Sequence, residues 1–423
     1  MKKFLALTLA LVMSLSLVAC GDKKTDDTKT DAPDQTEQPA ENEGAYKVAM
    51  ITDYGDITDQ SFNQTTYEAC KAFAEDNSIE FSYFRPAGDN TADRVAMIEK
   101  AVDEGFNVIV MPGYAFGGAI VEAAPEFPDV KFIALDVAAG DLLETAVAKA
   151  GESYDYNPSN WDLNKYVDMS NVYCAVYQEE LCGYMAGYAA VKLGYKSLGF
   201  LGGMAVPAVV RYGYGFVQGV DAAAADMGLT DVTLNYIYGG QFFGDADITS
   251  VMDTWYAKGT EVVFACGGGI YTSAVDAAKK VEGAKVIGVD VDQAGVIANY
   301  AAGEGADADT VEGFKALTVT SAMKGLYPAT YDTLTDVIVN GNWEKYSAKI
   351  DTLGLVSADD PTANYVQIPM DSTQWSDSFT QDDYKALVAA MFDGTLVVSN
   401  DTEKAASDFA TVITVDDQGS IKG

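Results

Sequence analysis

The side chains of this chain that could do chemistry stand where short apolar runs end. Asp53, Asp136 and Asp290 each close such a run, and Phe62-Asn63 opens an amphipathic stretch soon after the first one. Carboxylates accept hydrogen bonds from hydroxyl and amino groups, aromatic faces cover planar rings, and glycines expose backbone amides. These residue types together indicate a binding site for a small polar molecule that contains a ring. The full set is Asp53, Phe62, Asn63, Gly113, Tyr114, Asp136, Gly202, Gly203, Phe242, Phe243, Gly267, Gly268, Gly269 and Asp290.

The chain contains no histidine, which removes several kinds of chemistry at once. A Ser-His-Asp triad, Cys-His catalysis and histidine metal sites are all excluded. The five cysteines match no zinc spacing, and Asp290-Val291-Asp292 lacks the glycine and distal glutamate of a calcium loop. We therefore expect neither a metal nor a cofactor. Cys174 and Cys182 could pair outside the cell, although two buried free thiols are favoured.

The charge balance is strongly acidic. Asp plus Glu number 63 against 27 Lys plus Arg, which gives a formal net charge of -36. Such a surface repels nucleic acid and anionic lipid headgroups, and it disfavours highly charged anionic ligands. Nucleic acid is therefore excluded as an expected partner, while much of the acidity serves solubility alone.

Short apolar strands alternate with amphipathic helices along most of the chain. The predicted strands span residues 46–52, 79–84, 107–111, 130–135, 172–176, 197–201, 232–238, 261–265 and 285–289. The predicted helices span residues 61–76, 90–104, 115–127, 178–193, 207–227, 248–258 and 270–281. Residues 141–170 are polar and weakly patterned, which suggests an excursion or crossover. Residues 301–309 read as a surface loop, 317–340 as another strand–helix unit, and 382–392 as a short helix.

This alternation predicts an α/β fold with two lobes, each a parallel sheet flanked by helices. We expect lobe 1 over residues 46–170 and lobe 2 over residues 171–320. Residues 321–423 would form a crossover and further elements, part of which completes lobe 1. Ligands of open α/β sheets bind beyond the carboxyl ends of the strands, so the chemistry-bearing residues would meet in a cleft between the lobes.

The first 45 residues predict export. Lys2 and Lys3 precede an apolar run over residues 4–18 that is too short for a membrane-spanning helix, as in a secretory signal. The tetrapeptide ending at Cys20 resembles the lipobox of bacterial lipoproteins, in which the cysteine is lipidated. We therefore expect a signal peptide at 1–19 and a lipidated Cys20 that begins a flexible acidic tether at 20–45. The protein would be anchored to the cell membrane on its extracellular side.

Several segments resemble, in order, the signature sequences of one family. They are Asp53…Asp59-Gln60-Ser61-Phe62-Asn63-Gln64, Met111-Pro112-Gly113-Tyr114-Ala115-Phe116, Phe127-Pro128-Asp129-Val130-Lys131-Phe132, Glu180…Gly183-Tyr184-Met185-Ala186-Gly187, Gly199-Phe200-Leu201-Gly202-Gly203, Gly215-Phe216…Gly219-Val220, Val286-Ile287-Gly288-Val289-Asp290…Asp292-Gln293 and Thr320-Ser321…Lys324. The resemblance is to the basic membrane protein family of lipoproteins. Its members include purine nucleoside-binding components of ABC transporters.

The resemblance implies a type I periplasmic-binding-protein fold and a role for particular residues. It implies that Phe62 and Phe243 stack on a base, with the adjacent Phe242 as the alternative to Phe243. It further implies that Asp53 and Asn63 form hydrogen bonds with the edge of the base. The ribose hydroxyls would be bound by Gly268, Asp290 and Lys324, and Asp136 would also lie in the cleft.

The function implied by the resemblance is capture of a nucleoside, with purines favoured, for delivery to an ABC permease and ATPase. The protein would act as a lipid-anchored monomer and would not be an enzyme. Three alternatives stay open. The same fold could bind a sugar or an autoinducer, the chain could be a surface nucleoside hydrolase using Asp290 and Asp292, or it could be a sensory receptor ectodomain.

Overall fold

Strands and helices alternate through residues 46–422, which are the residues that the computed structural model describes. The strands are β1 (Lys47–Ile51), β2 (Glu80–Phe84), β3 (Val108–Pro112), β4 (Lys131–Leu135), β5 (Val172–Tyr177), β6 (Ser197–Gly202), β7 (Thr233–Tyr238), β8 (Val262–Cys266), β9 (Lys285–Asp290), β10 (Thr318–Lys324), β11 (Lys349–Leu353), β12 (Val366–Gln367) and β13 (Thr414–Ser420). The predicted signal peptide, the lipidation at Cys20 and the tether all lie outside the described residues.

The helices mostly lie between consecutive strands, as the sequence pattern predicts. They are α1 (Phe62–Asn77), α2 (Thr91–Asp103), α3 (Gly117–Ala123), α4 (Ala139–Lys149), α5 (Leu163–Tyr166), α6 (Glu179–Lys192), α7 (Pro207–Asp226), α8 (Ala246–Ala257), α9 (Tyr271–Ala278), α10 (Ala294–Ala302), α11 (Ala308–Lys315), α12 (Leu326–Leu334) and α13 (Gln381–Phe392). No helix among residues 46–422 combines the length and apolar character needed to cross a membrane.

The strands form two sheets. The first has the order β11-β5-β4-β3-β1-β2, and the second has the order β12-β10-β9-β8-β6-β7-β13. Neighbouring strands are parallel except for the short β12, which pairs antiparallel with β10. The predicted α/β fold with two parallel sheets is therefore confirmed.

The central strands of each sheet are buried on both faces, which explains their nearly continuous apolar sequences. In β1, Ala49 and Ile51 join one hydrophobic cluster, while Val48 and Met50 join another on the opposite face. In the second sheet, Phe200 of β6 belongs to one cluster and the adjacent Leu201 to another. This alternation follows from the two-residue period of a strand.

Helices α6 and α7 cross at close range, because glycines stand at the contact. A Cβ atom at Gly183 would come within 2.2 Å of the Tyr212 carbonyl oxygen, and one at Gly219 within 2.1 Å of the Tyr184 carbonyl oxygen. Any side chain there would push the helices apart. These glycines, part of the family signature, therefore act in packing.

One expectation about an irregular segment is wrong in part. The polar excursion expected over residues 141–170 begins inside the helix α4, which buries Leu142, Leu143, Ala146 and Val147 on one face. That spacing is helical, but the polar residues that follow obscure it. The loop expected at 301–309 is shorter than expected, since it spans residues 303–307 between the end of α10 and the start of α11.

The chain passes between the two sheets three times, after β5, after β10 and after β11. Strand β5 pairs with β4 in the first sheet, so residues 172–177 lie on the lobe 1 side of the boundary expected at residue 170. Strand β10 lies wholly in the second sheet, beyond the boundary expected at residue 320. The pairing thus differs from the sequence-based lobe limits, since β5 reads like the first strand of a new series. β11 returns to the first sheet by pairing with β5.

The four cysteines within the described residues are buried free thiols: Cys70, Cys174, Cys182 and Cys266. Cys174 and Cys182 are accordingly not paired with each other. Burial raises the pKa of each thiol, so each remains a protonated apolar group.

Candidate ligand-binding site

A cavity of about 440 Å³ lies between the carboxyl ends of the strands of the two sheets. This volume falls in the range of pockets for small ligands, roughly 300–1,000 Å³. All eight residues that the sequence predicted as ligand-binding line it. They are Asp53, Phe62, Asn63, Asp136, Phe243, Gly268, Asp290 and Lys324. Their ligand contacts stay predictions, but they share one space.

One wall of the cavity holds a carboxylate beside an amide. Asp53 follows β1, and its Oδ1 accepts hydrogen bonds from the N–H groups of Tyr54 and Gly55, both at 2.6 Å. Asn63, in the first turn of α1, donates through Nδ2 to Asp53 Oδ1 at 3.3 Å and to Asp59 Oδ2 at 3.0 Å. Burial raises the pKa of Asp53, and these hydrogen bonds partly oppose that effect.

The amide of Asn63 is oriented by its neighbours. Because both nearby carboxylates accept, the NH₂ group must face them, and Oδ1 points elsewhere. Asn63 Oδ1 is buried, and no described residue donates a hydrogen bond to it. A buried acceptor without a donor costs free energy, so this atom offers a place for an N–H group of a ligand.

The two adjacent phenylalanines after β7 have different roles in packing. Phe242 is wedged against glycine backbone, since a Cβ atom at Gly203 would lie 2.4 Å from its ring. The ring of Phe242 also lies 6.3 Å from that of Tyr54. Phe243, in contrast, is 58% exposed, although both residues line the cavity. A ring with so little packing is free to cover a ligand.

A cluster of buried charges surrounds Lys324, the last residue of β10. Its Nζ lies 2.5 Å from Asp136 Oδ2, 3.6 Å from Asp290 Oδ1 and 3.6 Å from Glu179 Oε1. The ammonium also lies 4.6 Å from the ring centroid of Phe62. Burial by itself would lower the pKa of Lys324, but the three carboxylates outweigh it and raise that pKa. Lys324 is therefore charged, and the carboxylates compensate it.

Asp136 and Asp290 stand at equivalent points of the two sheets. Asp136 directly follows β4 and Asp290 is the last residue of β9, and each has a positive φ, 60° for Asp136 and 65° for Asp290. Few residues other than glycine adopt this conformation, although aspartate tolerates it better than most. Backbone of this kind is often retained at ligand sites. Asp136 Oδ1 is buried and accepts no hydrogen bond from any residue within 46–422.

The sequence patterns assign no role to the acidic pair Glu179-Glu180 at the start of α6 or to Arg211, which binds Glu179. Arg211 Nε donates to Glu179 Oε2 at 2.7 Å. Burial raises the pKa of the neighbouring Glu180 to about 7, and the charge of Glu179 adds to this. Glu179 comes just after β5. If β5 had been assigned to the first sheet, the rule that ligands bind beyond the carboxyl ends of strands would have identified Glu179. No local pattern identifies Arg211.

Direct contacts join the two lobes across the cavity. Ser61 Oγ, just before α1, donates to Asp290 Oδ2 at 2.6 Å. Gln293 Nε2 donates to the Gln60 carbonyl oxygen at 3.3 Å. Together with the Lys324–Asp136 pair, these hydrogen bonds connect the first sheet's side of the cavity to the second sheet's side.

The site offers hydrogen bonds, ring faces and charge, all of which suit binding. Across residues 46–422, no group of three or more cysteine, aspartate or glutamate side chains is arranged to hold a metal ion. Two α/β lobes with such a cavity between their strand ends form a fold of the periplasmic-binding-protein type. A solute-binding protein of Aeropyrum pernix K1 has the same fold, with a TM-score of 0.60 at 18% identity, over 86% of this chain and 90% of that one. One of Conexibacter woesei gives 0.57 at 22% identity, over 84% and 99%.

Sequence comparison assigns the chain more closely. A family model described as "ABC transporter substrate-binding protein PnrA-like" matches residues 46–359, and the chain belongs to this Bmp family. The "ABC transporter nucleoside-binding protein BmpA" of Lactococcus lactis is 25% identical, over 74% of this chain and 80% of that protein. "Basic membrane protein B" of Borreliella burgdorferi is 25% identical, over 73% and 78%. The resemblance read from the sequence is thus confirmed. The family implies a small-molecule ligand and permease and ATPase partners.

Proposed function

We propose that this substrate-binding protein binds a nucleoside, with purines favoured, and delivers it to an ABC permease. The observation that carries the proposal is one cavity lined by three phenylalanines, Phe62, Phe242 and Phe243, with a carboxylate–amide pair on one wall and a lysine–carboxylate cluster on another. A nucleoside has the matching parts, which are a flat base with polar edges and a sugar with hydroxyl groups.

The base would lie between Phe62 and Phe243. Stacking on an aromatic side chain contributes about 1–3 kcal/mol per base, and it excludes water from both faces. The unpaired Asn63 Oδ1 would accept from an N–H group of the base, and the carboxylate of Asp53 would accept from another. A purine, with the larger ring system, covers both phenyl faces more fully than a pyrimidine.

The ribose would bind at the charged cluster. Carboxylates accept hydrogen bonds from hydroxyl groups, and such charge-assisted bonds are the stronger kind. Asp290 and the unpaired Asp136 Oδ1 would accept in this way, while Lys324 and the backbone N–H of Gly268 would donate.

The charge of the cluster favours a neutral ligand. Asp136, Glu179 and Asp290 surround Lys324, with Arg211 as the second cation. The carboxylates outnumber the cations, so a ligand that donates hydrogen bonds relieves the excess, whereas a phosphate would add to it. We therefore expect nucleosides to bind and nucleotides to be rejected.

Further support comes from the relative in Lactococcus lactis, whose name describes it as nucleoside-binding.

The proposal includes a lipid anchor. Cys20 would hold the protein on the outer face of the cell membrane, with residues 20–45 as the tether. The proposal also includes that the protein acts as a monomer and catalyses no reaction. Replacing Cys20 with serine is expected to abolish labelling by fatty acid and release the protein from cells, and retained labelling would contradict the anchor.

A thermal-unfolding panel with product analysis tests this function. The protein is unfolded, refolded to remove bound ligand, and heated with nucleosides, AMP, free ribose or arabinose. We expect purine nucleosides to raise the unfolding temperature, by linkage of binding to folding, while AMP and the sugars do not. Chromatography of the same mixtures should show intact nucleoside. Stabilisation by a sugar alone would contradict the proposal, and release of free base would reveal a hydrolase.

A further inference from the structure

Residues 360–422 lie beyond the part of the chain that the family model matches. They are built around the second sheet. Strand β12 pairs with β10 at one edge of that sheet, and β13 pairs with β7 at the other edge. The carboxylate of Asp221 on α7 accepts hydrogen bonds from the N–H groups of residues 411–413. This added segment is therefore an integral part of the lobe.

The last described residues of the segment reach the rim of the cavity. Strand β13 runs parallel to β7, with Ser420 opposite Tyr238, and the Ile421 N–H donates to the Tyr238 carbonyl oxygen at 2.8 Å. The chain that leaves β7 at this point forms the loop of residues 239–245. We call it the aromatic loop, because it carries Phe242 and Phe243.

Lys422 binds the aromatic loop through a short chain of polar groups. Its Nζ donates to Gln241 Oε1 at 2.9 Å and to the carboxylate of Asp245. Gln241 Nε2 in turn donates to the Phe243 carbonyl oxygen at 2.9 Å and to Asp245 Oδ2 at 2.9 Å. An ammonium group can only donate, so it requires that Gln241 present its oxygen to Lys422. The NH₂ group of Gln241 is thereby directed at the backbone of Phe243.

The backbones also pack directly. Gly240 has a φ of 80°, and a Cβ atom there would come within 2.6 Å of the Lys422 carbonyl oxygen. Only glycine suits both the conformation and the close approach. The position of the aromatic loop is thus coupled to that of residues 421–422 by contact as well as by hydrogen bonds.

We propose that residues 414–422 position Phe243 for ligand binding, with Lys422 as the positioning residue. The ring of Phe243 is 58% exposed, so its place at the cavity depends on how its backbone is held. If the loop is released, the binding-competent arrangement is populated for a smaller fraction of the time, and the apparent affinity falls by that fraction. The proposal rests on the proposed function only for the identity of the ligand.

The test compares Lys422→Met with the conservative Lys422→Arg in the full-length protein. Lys385→Met is the matched control, since Lys385 lies on α13 and makes only a surface ion pair with Asp382. Hydrogen exchange of the ligand-free proteins is measured over the aromatic loop, and guanosine or adenosine affinity by titration. We expect Lys422→Met to speed exchange in residues 241–245 and to weaken binding about fivefold or more. Lys422→Arg should restore most of both, and Lys385→Met should change neither.

A double-mutant comparison separates positioning from a general effect on stability. If Lys422 acts through Phe243, Lys422→Met should have little further effect on affinity when Phe243 is already alanine. An equal loss of affinity in both backgrounds would overturn the proposal, as would unchanged exchange and affinity in Lys422→Met. If the wild-type protein bound no nucleoside, the proposed function would fail, while the exchange measurement would still decide whether Lys422 holds the loop.

Discussion

Phe62 contacts both the aromatic and the charged part of the cavity. Phe62 and Phe243 provide faces for a ring, and Phe62 also lies beside the buried ammonium of Lys324. A cation near a ring face is favourable, and more so where water is excluded. Lys324 therefore links the aromatic part of the site to the carboxylates Asp136 and Asp290. A ligand with a base joined to a sugar matches that adjacency.

The first prediction concerns the stacking ring. Phe62→Ala should weaken nucleoside binding by about 1–3 kcal/mol, which is roughly 5–150-fold, because one face of the base loses its cover. The protein should remain folded by circular dichroism. Phe392→Ala is the matched control, since Phe392 is an exposed phenylalanine on α13 that does not line the cavity. Near-normal affinity in Phe62→Ala would contradict the proposal that Phe62 stacks on the base.

The second prediction concerns pH and Glu180. Burial raises the pKa of this carboxyl to about 7, so the folded state holds its proton at pH values where the unfolded chain has released it. The contribution of Glu180 to the free energy of unfolding then falls as pH rises from about 4.5 to 7. Glu180→Gln removes the ionisation and should raise the unfolding free energy by about 2–3 kcal/mol at pH 8, with little change at pH 4.

Chemical denaturation of ligand-free protein at the two pH values measures this difference. The exposed Glu75→Gln on α1 serves as the control and should show no such pH dependence of its effect. An equal effect of Glu180→Gln at pH 4 and pH 8 would show that burial does not perturb this carboxyl.

Among the elements, α7 has contacts with two different parts of the second lobe, α6 and residues 411–413. Its glycines allow close packing on α6, Arg211 near its start binds Glu179 at the start of α6, and Asp221 in its C-terminal half binds residues 411–413. This one helix thereby connects the charged cluster of the cavity with the segment that ends in β13. Its length of 20 residues makes both contacts reachable.

The third prediction tests that connection. Asp221→Ala should lower the free energy of unfolding by about 1–3 kcal/mol, because it leaves backbone N–H groups of the added segment without an acceptor. Asp226→Ala, on the same helix, removes only one exposed hydrogen bond with Tyr188 and should cost less. Denaturant unfolding of both variants gives the comparison, and equal losses would mean that Asp221 does not anchor the segment.

Sequence patterns predicted the elements that are buried on both faces, such as β3 and β8, because a short uninterrupted apolar run between turn residues indicates a buried strand. They failed at α4, where a helical face is followed by polar residues, and at the sheet assignment of β5, which depends on pairing between distant strands. Within the site, strand-end carboxylates such as Asp136 and Asp290 were found by rule. Lys324 needed the family resemblance, and Arg211 could not be found, because its contact with Glu179 depends on the helix crossing.

At the scale of the molecule, residues 46–422 form two lobes joined by three passages of the chain, with hydrogen bonds also made across the cavity. Proteins of this architecture close by hinge motion around a ligand. A ligand that bonds to both sheets stabilises the closed arrangement over the open one in proportion to its differential affinity. Ser61 and Asp290, which already bond across the cavity, would then assist closure.

The acidity of the molecule bears on what it can carry. The full sequence has a formal net charge of -36, and the five carboxylates that line the cavity outnumber its two cations, Arg85 and Lys324, so both the long-range and the local field disfavour anions. A neutral nucleoside meets no such barrier. The permease surface that receives the closed protein would be expected to present complementary basic groups.

Calorimetric titration of the refolded protein, freed of bound ligand, tests the central claim most directly. Adenosine, guanosine, inosine, cytidine, uridine and ribose are each titrated into residues 46–423 at neutral pH. We expect submicromolar binding of at least one purine nucleoside with a stoichiometry near one, weaker binding of pyrimidine nucleosides, and no heat from ribose. Absence of binding by every nucleoside would contradict it and would leave the family membership without the proposed ligand.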